Sequence, residues 1–274
     1  MCEFCHEHGE GKKWYLQAKN YSQEIINEER RQFTGDFLEK FEENAVTGLV
    51  ELDKLMVSDP AAAKAAMASG EGERKRNHWG QVVPLEEIEQ ILDMNVSVVR
   101  FPCVCRSVLG GVYDARYCFG TAAFVDDSSP ALRYPDWSTD LEVLTAEEAK
   151  KKIQKLDRNG LVHTVWTMIT PYIGGICNCN VNDCMAMKMG LRYGTQRGFF
   201  KAEYVATIDW ESCSGCRDCM KLCNFGAISY SPLVQKCYIN QFECFGCGVC
   251  RALCPRDAIA LRDRNAIPVL ANDW

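Results

Sequence analysis

The chain has no basic stripe. Its 274 residues carry a net charge of −6, so a nucleic-acid surface is not expected. No Gly-x-Gly-x-x-Gly fingerprint and no phosphate loop occurs, and nothing in the sequence supports a bound nucleotide. The first residues, Met1-Cys2-Glu3-Phe4-Cys5-His6-Glu7-His8, contain no apolar export segment. Long uncharged runs are also scarce. The longest, Gly160 to Cys177, contains His163, Pro171, several threonines and two adjacent glycines. It reads as a buried strand and loop rather than a membrane span. Charged residues make up 25% and hydrophobic ones 47%, the balance of an ordinary soluble surface over a real core. Against these absences stand 17 cysteines. Thiols at metal-ligand spacing without an export signal point to a reducing cytoplasm, as in an anaerobe, and not to disulfides.

The cysteines are densest near the C-terminus. Cys213-Ser-Gly-Cys216-Arg-Asp-Cys219-Met-Lys-Leu-Cys223 recurs as Cys244-Phe-Gly-Cys247-Gly-Val-Cys250-Arg-Ala-Leu-Cys254-Pro255, each cysteine 31 positions on. Zinc sites favour isolated cysteine pairs or cysteine–histidine sets, not two four-thiol runs in series. This C-x-x-C-x-x-C-x-x-x-C pattern resembles the bacterial two-cluster ferredoxins, in which thiolates hold two [4Fe–4S] cubes. The match covers roughly residues 204–263.

The resemblance implies a crossed ligand pattern. Cys213, Cys216, Cys219 and Cys254 would hold one cluster, and Cys244, Cys247, Cys250 and Cys223 the other, so that neither repeat folds without both metal centres. Gly215, Gly246 and Gly248 suit loops that wrap closely and offer N–H groups to sulfur. Strands are expected after Gly226 and Asp257. One position departs from the pattern: Asn224 stands where the family usually has proline, with consequences for hydration and potential near the second cluster.

The fold class expected is α+β. A C-terminal ferredoxin-like domain of two short hairpin and helix repeats is appended to a larger, cysteine-rich domain of mixed helix and strand. Four regions are expected: 1–82, helical with a linker; 83–200, α/β with a crude internal repeat; 201–265, the dicluster domain; and 266–274, a tail. Within the first, Trp14, Ala18, Tyr21 and Ile25 predict one helical stripe. Leu38, Phe41, Ala45, Leu49 and Leu52 predict another, with a break at Thr34-Gly35. A short helix from Pro60 and a solvated loop over 69–77 follow. The repeat reads as helix (Leu85, Ile88, Leu92), strand (96–101), Cys103-Val-Cys105 and Cys118. It then recurs as helix (Thr145 and Glu148 as capping box; Ala149, Ile153, Leu156 inward), strand (161–169), Cys177-Asn-Cys179 and Cys184. The segment from Asp126 to Trp137 reads as a surface excursion. The apolar tail is expected either to pack on the N-terminal half or to dock on another subunit.

Nine cysteines lie outside the arrays. Cys237 reads as a small buried hydrophobe. Each C-x-C is expected to place two thiols on one side of an extended segment just past a buried strand. If the two copies face each other, Cys103, Cys105, Cys118, Cys177, Cys179 and Cys184 converge. Six thiolates could hold one four-ligand cluster with two to spare, two incompletely ligated clusters, or a larger assembly; the plainer reading is reduced structural cysteines. Cys2-Glu-Phe-Cys5-His6 matches a haem-attachment pattern by spacing, but that attachment follows export. Cys2 and Cys5 read instead as a metal-binding pair, with His6 or His8, or as an end ordered by a partner. His163 is the one candidate for proton chemistry, set against the blander role of a hydrogen-bonded core histidine.

The function expected is an iron–sulfur electron carrier, the ferredoxin-like subunit of a larger cytoplasmic oxidoreductase, more in keeping with a relay than a stand-alone catalyst. It would pass single electrons through two [4Fe–4S] clusters and one or two further clusters upstream. Its partners would be redox subunits, a flavoprotein or a metalloenzyme in a hetero-oligomer. Two alternatives are a reductase whose N-terminal metal centre is fed by the ferredoxin domain, with His163 as acid, and a redox-sensing interaction module.

Overall fold

The computed structural model describes residues 13–69, 78, 80–95, 98–110, 112, 114–121, 141–185, 187–188 and 200–271. Cys2, Cys5, His6, His8, the loop over 70–77 and the excursion from Asp126 to Trp137 lie outside them. The chain is a mixture of helix and strand.

Three short 3-10 turns, Trp14–Leu16, Ala18–Tyr21 and Gln23–Ile25, open the described chain. The single helix predicted there does not form, because Gln17 and Ser22 are extended. Competing side-chain bonds account for this. Trp14 Nε1 donates to Gln81 at 2.9 Å, the Tyr15 hydroxyl to Glu87 at 2.7 Å, and Asn20 to the Trp14 carbonyl. These fully buried groups trade helix bonds for bonds to the rest of the fold. The helix α1 (Glu28–Ser58) then runs unbroken through Thr34-Gly35. Asn27 caps it, and the Thr34 hydroxyl bonds back to the Arg30 carbonyl at 2.7 Å instead of ending the helix. Of the second predicted stripe, only Leu52 has a described side chain. α2 (Pro60–Ser69) follows as expected.

Next come β1 (Gly80–Val82), α3 (Leu85–Asp93), β2 (Val98–Phe101), α4 (Val104–Gly110), β3 (Cys118–Gly120), β4 (Glu142–Leu144), α5 (Ala146–Arg158), β5 (Val162–Thr167) and β6 (Ile173–Cys179). The six strands form one antiparallel sheet in the order β1-β5-β6-β3-β2-β4. That order is a palindrome. β1-α3-β2-β3 and β4-α5-β5-β6 share a strand–helix–strand–strand order, the first with α4 inserted between its last two strands, and each lends its first strand to the second strand of the other.

Strand periodicity divides the sheet into two faces. Phe119, Val165 and Ile176 face α3 and α5, where Ile88, Ile91, Leu92, Ala149, Ile153 and Leu156 close the main core. Thr145 and Glu148 form the expected capping box of α5. On the opposite face, Val99, Phe101 and Cys118 pack with Ile26, Phe33 and Phe37 from the start of α1. Arg30 fixes that helix by donating to the carbonyls of Ile25, Ile169 and Thr170.

The last segment comprises β7 (Tyr204–Ile208), α6 (Asp218–Leu222), β8 (Ile228–Ser231), β9 (Lys236–Ile239) and β10 (Ile259–Asp263). β7 pairs with β10 and β8 with β9, all antiparallel. The tail turns back onto this domain: Leu270 is fully buried in its core beside Ile267. Polar contacts join the two halves. Phe200 bridges β1 in parallel through its backbone. Glu87, only 2% exposed, takes hydrogen bonds from Tyr15 and Tyr204 and pairs with Lys13 at 2.6 Å. Arg251 grips Glu86 with both guanidinium nitrogens, at 2.6 and 2.9 Å. Asn224 bonds across to the Gly160 carbonyl. Thr145→Ala removes the α5 cap and should lower the stability of the sheet half by about 1 kcal/mol, read as a reduced denaturation midpoint by tryptophan fluorescence.

Candidate iron–sulfur centres

The 31-residue repeat extends to the backbone. Gly215 and Gly246 both have φ +70°, Arg217 and Gly248 follow at +70° and +82°, and Gly226 and Asp257 at +67° and +48°. Three left-handed positions per repeat curl each cysteine loop around a hollow. At Gly246 a Cβ would lie 2.0 Å from the Tyr204 carbonyl oxygen, and at Gly215 2.2 Å from that of Gln235. Only glycine fits either loop.

The two hollows gather the crossed cysteine sets. An outer hollow is lined by Cys213, Cys216, Cys219 and Cys254, with Ile208 and Ile259. An inner one is lined by Cys223, Cys244, Cys247 and Cys250, with Phe225, Phe245 and Val249. The fourth cysteine of each array thus stands in the other array's hollow. Backbone amides point at sulfur as a cluster requires. Ala227 N–H donates to Cys223 Sγ at 3.2 Å, and its repeat counterpart Ala258 to Cys254 at 3.3 Å. Ala206 and Gly246 both donate to Cys244, at 3.4 Å. Burial raises the thiol pKa of Cys244, Cys247 and Cys250. A metal that displaces those protons removes that cost. Among the described residues no three His, Cys, Asp or Glu side chains are gathered for a single ion. A cube bonds each thiolate to a different iron, and four soft donors around an apolar hollow fit it.

Cys237 is buried as expected, but it also lines the outer cavity, so a fifth thiol borders that site. Its strand-like context gave no sign of this proximity. The two hollows differ in exposure: Cys216 is open to solvent, whereas Cys244, Cys247 and Cys250 are all buried.

The six upstream cysteines also converge. Cys103, Cys105, Cys118 and Cys177 pack in one cluster, and Cys177, Cys179 and Cys184 in the adjoining one. Cys118 and Cys177 are cross-strand partners in register on β3 and β6. The result is a basket of six thiols on the sheet face away from α3 and α5. The two C-x-C pairs enter it differently, contrary to the expectation. Cys177 and Cys179 lie within β6, on one side of the strand. Cys103 follows β2 and Cys105 sits in the first turn of α4, because the chain turns into a helix after Pro102 rather than extending. The thiols of Cys105 and Cys118 hold Cys103 down to about 2, and those of Cys177 and Cys184 hold Cys179 down to about 5. Cys105, Cys118 and Cys184 are pushed up by those same contacts and by burial.

Arg106 is the basket's cation. It is 6% exposed, donates to Cys103 Sγ at 3.4 Å, pairs with Asp183 at 3.1 Å and lies over the Tyr117 ring at 4.1 Å. A buried guanidinium needs anions around it; Asp183 is one, and the Cys103 sulfur accepts from its other terminal nitrogen. Its position directly after Cys105 was the available sequence signal. His163 is not part of the basket. It is fully buried beside α5, with Nδ1 2.6 Å from Asn178 Oδ1 and Nε2 3.3 Å from Asp157. Both ring nitrogens are occupied within the core, the blander of its two roles.

Residues 212–259 match the 4Fe-4S dicluster domain. The C-terminal part of this chain is such a domain. It takes two [4Fe–4S] clusters, as many as there are hollows, and the role it supports is iron–sulfur electron transfer. The same region is 38% identical over 66 residues to a component of the ion-translocating oxidoreductase complex of Methanosarcina acetivorans, covering 24% of each chain. It is 35% identical over 63 residues to an archaeal-type glutamate synthase [NADPH] of Thermotoga maritima, covering 23% of this chain and 12% of the relative. A third relative, indolepyruvate oxidoreductase subunit IorA of Pyrococcus abyssi, is 31% identical over 67 residues, 24% of this chain and 10% of its own. The matched segment is thus a quarter or less of each of these proteins. Among the described residues no helix is long and apolar enough to cross a membrane. Gly246→Ala should abolish cluster binding in this domain, seen as loss of its iron and of visible absorbance from anaerobically purified protein.

Proposed function

We propose that the chain is an electron-relay subunit of a larger, cytoplasmic oxidoreductase complex, carrying clusters in both halves. Cys213, Cys216, Cys219 and Cys254 hold one [4Fe–4S] cluster; Cys223, Cys244, Cys247 and Cys250 hold the other; and Cys103, Cys105, Cys118, Cys177, Cys179 and Cys184 hold a further iron–sulfur centre. The observation that carries this reading is that eight cysteines divide between two hollows in the crossed order, while six more converge on one sheet face around a buried arginine. Bound clusters supply one-electron redox chemistry. The protein's part is to fix the thiolates, direct amides at sulfur, and keep the inner sites dry.

In this reading residues 201–265 are the relay and 83–200 the second cluster-bearing domain; 1–82 and 266–274 complete packing and docking surfaces. Oxidoreductase subunits among the relatives support redox proteins as partners and a hetero-oligomer. Cys2 and Cys5 remain candidates for a partner-ordered metal pair. The alternative of a reductase draws on the surplus of thiols over the four a cube needs. It loses its proposed acid, since His163 bonds within the core beside α5.

Iron and acid-labile sulfide per anaerobically purified chain test the proposal. About eight iron atoms would mean the ferredoxin pair alone, and about twelve or more would place a centre upstream. Cys103→Ser combined with Cys177→Ser should lower the count by about four and leave the ferredoxin spectrum intact; an unchanged count would refute the upstream centre. Substrate turnover by the isolated, dithionite-reduced chain would favour the reductase.

A further inference from the structure

The departure at Asn224 has a structural meaning. Its side-chain oxygen accepts from the Val181 N–H at 2.9 Å, and its amide donates to the Gly160 carbonyl at 2.9 Å. Val181 lies in the turn between Cys179 and Cys184, two members of the basket. Asn224 itself directly follows Cys223, one of the inner four. Proline there would have no side-chain amide to make either bond. The same seam is closed by a continuous apolar cluster in which Cys179, Cys184, Val82 and Val162 pack with Cys247 and Val249. Phe225 and Phe245, stacked with centroids 4.0 Å apart and planes within 11°, wall the inner cavity and pack against that cluster. Beside Gly160, the Leu222 side chain fills the space a Cβ would take, at 2.7 Å. The ferredoxin segment alone lines both cavities, but among the described residues none lining the outer one belongs to that cluster, and Cys216 opens it to solvent.

We infer that the inner thiolate set and the basket are one electronically coupled pair, joined across the Cys179–Cys184 turn by Asn224, with the outer set as the terminal site. This rests on the proposed upstream centre and adds the order of the relay: outer set, inner set, basket. Tunnelling rates fall steeply with distance and with loosely packed or wet gaps. The packed, largely apolar seam therefore favours the inner set as the basket's exchange partner. A one-electron donor or acceptor protein meeting the outer set would communicate with the basket through the inner one. Asn224 acts as a positioning residue, holding two ligand-bearing loops in register without touching either cluster's iron.

The test is electron paramagnetic resonance of the dithionite-reduced full chain, with iron counted on the same samples. Unpaired spins in the basket and the inner set should broaden each other's signals. That broadening should persist in Cys216→Ser, which disables the outer set, and vanish in Cys250→Ser. In Asn224→Ala the iron content should equal that of the unaltered chain while the broadening weakens; Asn224→Asp, which keeps the acceptor for Val181, should restore part of it. If a cysteine variant fails to fold, the Asn224 pair decides the matter. Broadening that survives Cys250→Ser, or is unaffected by Asn224→Ala, overturns the inference. So does its absence from a chain with about twelve or more iron atoms, which leaves the upstream centre standing. A chain with only about eight iron atoms removes the centre itself and the inference with it.

Discussion

The exchange of the fourth cysteine between repeats is the constraint on which the C-terminal domain depends. Cys254 lines the hollow built by Cys213, Cys216 and Cys219, and Cys223 that built by Cys244, Cys247 and Cys250. Neither hollow can close from one repeat alone. The core of this domain contains the sulfurs of Cys219, Cys244 and Cys250 among Val205, Ala206 and Ile259. So small a core gains little from apolar burial alone, and metal binding is then inseparable from folding. The paired left-handed positions and the paired amide–sulfur bonds are the backbone form of the same duplication.

The N-terminal half solves a different problem. Its sheet has one face for helices and one for sulfur, and strand alternation keeps the two chemistries apart. Ile176 and Asn178 turn one way while Cys177 and Cys179 turn the other. The sulfur face is then covered from two directions, by α1 and α4 on the β2 side and by the ferredoxin domain on the β5 side. Arg106 supplies positive charge at the centre of this covered region. Removing the sulfur around it would leave a buried cation with Asp183 as its ion-pair partner.

Much of this was readable from the chain, and what was missed has identifiable causes. The ferredoxin arrays are strictly local, so their likeness to a known pattern implied the crossed sets. α3, β2, α5 and β5 followed from apolar periodicity with a capping box or turn at their ends. The segment over 14–25 misled because Trp14, Tyr15 and Tyr21 bond to distant or non-helical partners, which periodicity does not register. Convergence of the six thiols was conditional on a facing arrangement that only strand order could supply. The likeness of the two C-x-C pairs was itself partly illusory, since one lies inside a strand and the other enters a helix. The bridge made by Asn224 was visible only as a departure from a pattern, with no hint of what it touched.

The palindromic sheet carries a consequence for how this half is held together. A single strand–helix–strand–strand unit would leave its first strand without a neighbour and its second strand with a bare outer edge, since each of those pairings is provided by the other copy. Such a unit is unfinished as a monomer and complete as a mutually braced couple. Here both members are fused in one polypeptide, so the brace is intramolecular and does not vary with protein concentration. Within one chain the two members need not be alike: Cys177 and Cys179 lie inside a strand, whereas the chain through Cys103 and Cys105 turns into a helix.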